Sequence, residues 1–189
     1  MHCWDVSAEN FLSGNSWTNG IIYGRLNWSS KEVKTYKCDI LMPLEILLIN
    51  GPNLNMLGVR QPEVYGRSSL KDLRILCERE AGLLGLSIDF RQSNAEGDLV
   101  SWIQGARGSA DGIMLNAGAL THSSIALLDA LASAEVPAVE IHMSNIHRRE
   151  EFREKSYVSL CAAGMVCGLG SYSYVLGLRA IHSILISRQ

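Results

Sequence analysis

From Leu44 onward the apolar positions fall into short runs that alternate with stretches of helical spacing. Leu44–Asn50 (LEILLIN) is almost wholly apolar, the pattern of a strand covered on both faces. Leu70, Leu73, Leu76 and Cys77 then recur at helical spacing toward Leu84, and Ser68 is placed to cap that helix. Leu86–Gln92 reads as the next strand and Glu96–Arg107 as a helix; Gly112–Asn116 (GIMLN) and Ser123–Ala134 repeat the pair. Val136–His142 (VPAVEIH) is a fourth strand, followed by a short charged helix over Arg149–Lys155. A strand within Cys161–Cys167 and a helix over Tyr172–Ser187 close the series.

Five strands separated by helices predict an α/β fold, a doubly wound parallel sheet. At this size the flavodoxin-like strand order 2-1-3-4-5 is expected, with its ligand crevice where strands 1 and 3 part. Asn53, Asn116 and His142 stand at or just past the ends of strands 1, 3 and 4, so the fold would gather them. Before Met42 neither period is sustained. The folded domain, and the translation start with it, is therefore expected at Met42, with residues 1–41 an extension outside it.

Composition narrows the function. The 189 residues are 47% hydrophobic, enough for one sizeable core. Seventeen basic residues against 19 acidic, with no basic run, argue against nucleic acid and anionic membrane as partners. No apolar run approaches the roughly 18 residues of a membrane span. The five cysteines are scattered without a CxxC pair, which fits reduced thiols and a cytoplasmic protein better than disulfides or zinc. No cluster has metal-ligand spacing and no phosphate-cradling glycine motif occurs, so neither metal nor cofactor is expected.

Four segments carry candidate chemistry. The first is the loop Gly51–Gly66, with two prolines, three glycines, Arg60 and Tyr65. It far exceeds the usual length of about 2–6 residues for such loops, which suits a lid over the crevice. The second, LNAGALTHSS, ends a strand on Asn116 and offers Thr121 or Ser123 as a helix cap beside His122. In the third, EIHMSN, Glu140 and His142 lie two apart on a strand and project to one face. A carboxylate there fixes the imidazole tautomer and prepares the ring to donate a proton. Ser144 and Asn145 then open a helix whose backbone N–H groups suit a carboxylate. The fourth, NIHRREEFREK, reads as a solvated face with Glu151 and Lys155 paired, and only Arg153 stands as a candidate ligand.

In their order and spacing, ILLINGPNLNMLG…R…PEVYG, FRQSNAEGDL, LNAGALTHSS, VEIHMSNIHRREEFR and GLGSYSYVLGL resemble the type II dehydroquinases over residues 44–182. That resemblance implies a dodecamer of four trimers converting 3-dehydroquinate to 3-dehydroshikimate by anti elimination through an enolate. It implies Tyr65 as base with Arg60 beside it, His142 as general acid oriented by Glu140, and Asn53 holding a water against the enolate. Asn116, His122 and Arg153 would grip ring hydroxyls, and the backbone of Met143 and Ser144 the carboxylate. Asp129, placed by the pattern in the apolar stripe of its helix, would reach a neighbouring subunit's site. Gln61 and Ala95 depart from common family residues, and residues 1–41 have no counterpart. The rival is a flavodoxin-like module binding FMN or a phosphoryl group, for which the GPNLN loop offers no hydroxyl-rich cradle.

Magnitudes support a lid that closes. Free tyrosine ionises near pH 10, so a tyrosinate at neutral pH needs stabilisation of about 4 kcal/mol. An arginine about 4 Å away supplies about 1 kcal/mol in water but about 4 at an effective dielectric near 20.

Overall fold

The computed structural model describes residues 42–58 and 68–188, together with the backbone of 17–18 and 21–22. Arg60, Gln61 and Tyr65 therefore lie outside the described residues, as does nearly all of the 1–41 extension. By its contacts the chain divides at Met42, and Pro43–Gln189 is one compact unit. Before it, Trp17–Thr18 pairs antiparallel with Ile21–Ile22.

Within the compact unit the elements run β1 (Leu44–Asn50), α1 (Leu70–Leu84), β2 (Leu86–Gln92), α2 (Glu96–Gly105) and β3 (Gly112–Asn116). They continue with α3 (Ile125–Ala134), β4 (Ala138–His142), β5 (Gly164–Cys167) and α4 (Tyr172–Ile186). All pairings of this five-stranded sheet are parallel and the order is β2-β1-β3-β4-β5, the flavodoxin-like order expected.

Side-chain alternation splits the core into two. Ile46 and Leu48 of β1, Met114 of β3, and Val139 and Ile141 of β4 pack against α1 and α4. Leu47, Ile49, Ile113, Leu115 and Ala138 pack on the opposite face against α2 and α3. Helix α4 lies close on the sheet: a Cβ added at Gly177 would stand 2.3 Å from Ile141 Cδ1. A Cβ on Gly51 would come within 2.5 Å of the Ala117 carbonyl oxygen, which fixes how tightly the β1 and β3 exits approach.

Several boundaries differ from the sequence expectation. Ser69, not Ser68, caps α1, because Asp72 lies three residues on and completes a capping box with it. Helix α3 is capped by Ser124, whose Oγ accepts the Leu127 N–H at 2.9 Å; Thr121 and Ser123 belong to a preceding 3-10 turn and its end. The Arg149–Lys155 helix is replaced by 3-10 turns at Ile146–Arg148 and Glu151–Arg153, and Ser144 and Asn145 open only the first of these. Arg149 and Glu150 between them are extended, with φ/ψ of −116/−160° and −65/145°. Both Arg149 and Arg153 turn to Glu150, at 3.7 and 3.0 Å, instead of stacking like charges on one helical face. The expected Glu151–Lys155 pair gives way to a Lys155 Nζ hydrogen bond to Tyr157 Oη at 3.2 Å. Asp129 is exposed rather than in the buried stripe of α3, which consists of Leu127, Ala130, Leu131 and Ala134.

Candidate active site

The C-terminal ends of β1, β3 and β4 open into a cavity of about 240 Å³. Asn53, Asn116, His122, His142, Met143, Ser144, Arg149 and Arg153 all line it, so the stretches that follow β1, β3 and β4, far apart in sequence, meet at the switch point. Asp129 does not line it.

Asn53 adopts a left-handed backbone, φ 69°, a region that asparagine tolerates better than most side chains. Its N–H donates to Asn94 Oδ1 at 2.9 Å, and Gln92 Nε2 donates to the same oxygen at 3.1 Å, tying the loop to the end of β2. Asn116 pairs in register with Asn50 across β1 and β3. Its Nδ2 donates to Tyr174 Oη at 2.7 Å, and that phenol donates to Asn50 Oδ1 at 2.7 Å. Asn50 Nδ2 donates in turn to the Arg91 carbonyl at 3.1 Å, and the Gly118 N–H donates to Asn116 Oδ1 at 3.2 Å. An amide offers two donors and two lone pairs, so Asn116 keeps capacity for a ligand. Tyr174 is fully buried, and burial pushes its phenol well above the ordinary value, over the opposing Asn116 bond.

Glu140 and His142 project from β4 to the other face of the sheet. His142 Nε2 lies 2.6 Å from Glu140 Oε1, and both side chains are buried. Thr121 Oγ1 donates to Glu140 Oε1, and Ser156 Oγ reaches both carboxylate oxygens, at 2.8 and 2.9 Å. Burial opposes ionisation of Glu140; the bonds from His142, Thr121 and Ser156 and the nearby imidazole outweigh it and hold the carboxyl below its ordinary value. With Nε2 committed to the carboxylate, His142 Nδ1 is the atom left for other work.

His122 stands beside this pair, its ring stacked on that of His142 with centroids 6.5 Å apart. Its Nδ1 donates to the Lys155 carbonyl at 2.8 Å, which makes Nε2 the acceptor of a neutral ring. Burial lowers its pKa; His142 and Arg153 act the same way, while the Lys155 carbonyl and Glu140 oppose them. Held below its ordinary value, the ring is suited to accept from a hydroxyl. Arg149 and Arg153 supply positive charge on the cavity wall.

The geometry thus brings together the candidate residues it describes, apart from Asp129. Sequence reasoning missed Asn50, Tyr174, Thr121 as a carboxylate partner, and Ser156. Only Asn50, an amide ending a buried strand, carried a signal in the pattern. Among the described residues no group of His, Cys, Asp and Glu is placed to hold a metal ion, and no helix is long and apolar enough to cross a membrane. Neither Lys71 nor Lys155 lines the cavity.

The family model for dehydroquinase class II matches residues 44–182. A 3-dehydroquinate dehydratase of Dinoroseobacter shibae is 52% identical over 138 residues, covering 73% of this chain and 92% of that protein. The crystal structure of type II dehydroquinase from Propionibacterium acnes superposes with TM-score 0.72 at 38% identity, over 75% of this chain and 98% of the other. That of the Butyrivibrio crossotus enzyme gives 0.71 at 35% identity, over 74% and 97%. With the family's sheet order and a crevice formed where β1 and β3 part, the chain belongs to the dehydroquinase class II family of hydro-lyases.

Proposed function

We propose that this protein is a 3-dehydroquinate dehydratase that eliminates water in the anti sense through an enolate. The observation that carries the reading is the buried Glu140–His142 pair opening onto a cavity walled by neutral acceptors and arginines, in a chain 52% identical to a protein of that name. The base, Tyr65 as tyrosinate beside Arg60, takes the C2 proton, and the electron pair moves onto the C3 carbonyl oxygen as an enolate. A water held by Asn53 stabilises that oxygen. Collapse of the enolate forms the C1–C2 double bond and expels the C1 hydroxyl, which leaves as water with a proton from His142 Nδ1. Glu140 stabilises the imidazolium that donates it.

Asn116, His122 and Arg153 hold the ring hydroxyls, and the backbone N–H groups of Met143 and Ser144 the substrate carboxylate. The exposed Asp129 is free to reach a neighbouring subunit's site in a dodecamer of four trimers. The protein is assigned to the cytoplasm, and residues from Met42 onward suffice for turnover. Lys71 and Lys155, the two lysines of that stretch, stay out of the cavity, which supports elimination without an imine.

The test is incubation with 3-dehydroquinate while following ultraviolet absorption of the conjugated enone, with C2-proton exchange in heavy water followed by NMR. Tyr65→Phe should abolish both. His142→Ala should keep exchange while slowing elimination. Wild-type exchange rates in Tyr65→Phe would remove that tyrosine as the base.

A further inference from the structure

Glu140 is completely buried, yet it sits within a cluster of hydrogen-bond donors, two of them hydroxyls from outside its own strand. Ser156 Oγ accepts the Ser159 N–H at 2.9 Å, so its single proton is directed to the carboxylate. Thr121 Oγ1, 3.0 Å from Ser156 Oγ, spends its own proton on Oε1. With His142 Nε2 the carboxylate collects three side-chain donors, a set that only the ionised form can accept in full. The neighbours of Ser156 are engaged in series on the same site. The Lys155 carbonyl takes the His122 Nδ1 proton, and the Tyr157 N–H donates to the Thr121 carbonyl at 2.8 Å. Arg153, three residues before Ser156 in the sequence, lines the cavity.

We propose that Lys155–Tyr157 is a positioning strap, and that Ser156, with Thr121, is a positioning residue that keeps Glu140 ionised and aligned so that His142 can act as the acid. This rests on the dehydratase reading of the site. Neither hydroxyl touches substrate; each works through the carboxylate. The bland alternative is that both merely satisfy a buried oxygen. It differs in what it predicts, because a structural role alone would leave the ionisation of Glu140 and the chemical step untouched once the variant has folded. Among the described residues, the other charged and titratable groups around the pair are His122, on the turn after β3, and Arg149 and Arg153 on the turns after β4.

The experiment uses the full chain with 13Cδ-labelled glutamate, Glu140 being assigned by its loss in Glu140→Gln, alongside steady-state kinetics with 3-dehydroquinate. In Ser156→Ala the Glu140 midpoint should rise by about one pH unit, as expected when one hydrogen bond to a charged group is lost. By the same reasoning kcat should fall about tenfold while KM stays within about twofold. Ser156→Thr, which keeps a hydroxyl, should restore both. Thr121→Val, with Thr121→Ser as its rescue, gives an independent pair should Ser156→Ala fail to fold. An unchanged Glu140 midpoint and kcat in a folded Ser156→Ala or Thr121→Val overturns the proposal while wild-type turnover stands. Absence of wild-type turnover instead overturns the dehydratase reading, and the Glu140 midpoint still decides whether the strap tunes the carboxylate.

Discussion

Two polar clusters lie buried at the C-terminal end of the same sheet, one on each face. Toward α4, Asn50, Asn116 and Tyr174 form a neutral chain of amide and phenol. Toward α3, Glu140 is an ionised carboxylate ringed by His142, Thr121 and Ser156. Each cluster contains a side chain that the β-strand period sends inward, and each is satisfied by residues brought from elsewhere in the chain. The difference is charge. The neutral chain fixes where Asn116 stands and has no proton to give at working pH. The charged cluster needs several donors to remain ionised in the interior, and in return can hold an imidazolium beside a substrate. On the proposed dehydratase reading, one face supplies geometry and the other supplies reactivity.

Neutralising the charged cluster is the strongest way to break this contrast. Glu140→Gln should lower kcat about a hundredfold, in the range lost when general acid catalysis is impaired, with little change in KM, as steady-state kinetics would show. Tyr174→Phe should do the reverse. It leaves Asn50 and Asn116 each short of a partner, so urea unfolding should report a loss of about 1–3 kcal/mol. Its kinetic signature should be a raised KM with kcat largely kept.

The pH dependence of stability separates the two clusters next. Glu140 has a depressed folded pKa, so its contribution is present above the ordinary carboxylate range and lost as pH falls through the folded value. Tyr174 has a raised one, so its contribution is present below the ionisation of an unfolded tyrosine, about pH 10, and lost as pH climbs beyond it. Denaturation curves across pH should show the acid-side loss reduced in Glu140→Gln and the alkaline-side loss reduced in Tyr174→Phe. As a control, the Arg107–Glu135 pair, 2.8 Å apart with side chains 63% and 68% exposed, should matter little. Arg107→Gln should shift unfolding by less than about 1 kcal/mol.

The same contrast explains what could be read from the chain alone. The strands were legible because a run such as LEILLIN has one good solution in a doubly covered sheet, and β1 occupies the residues expected. The parallel sheet followed from the β-α alternation and its strand order from the size of the domain, and with them the meeting of Asn53, Asn116 and His142. Glu140 and His142 were legible because their relation is local, two residues apart on a strand. Their partners were not. Thr121 looked like a helix cap, and Ser156 follows a charged run with no period of its own. Only the folded chain shows the two hydroxyls meeting one carboxylate. Tyr174 looked like one more apolar helix residue because its phenol finds Asn50 across 124 positions of sequence. The charged segment after β4 was misread as a helix for a related reason. Its charges favour neither helix nor turn strongly, and spacing does not reveal that Arg149 and Glu150 are extended with both arginines turned to Glu150.

The strand order also governs when the site comes into being. Its floor needs β1 paired with β3 and β3 with β4, and its strap then has to close Ser156 onto Glu140. Parallel pairings of this kind join distant stretches and form late, after the entropy of long loops has been overcome. No partly assembled sheet would hold the carboxylate, the imidazole and the amides together. During refolding, far-ultraviolet ellipticity should therefore recover ahead of turnover, making catalysis a clock for the last closure of the chain.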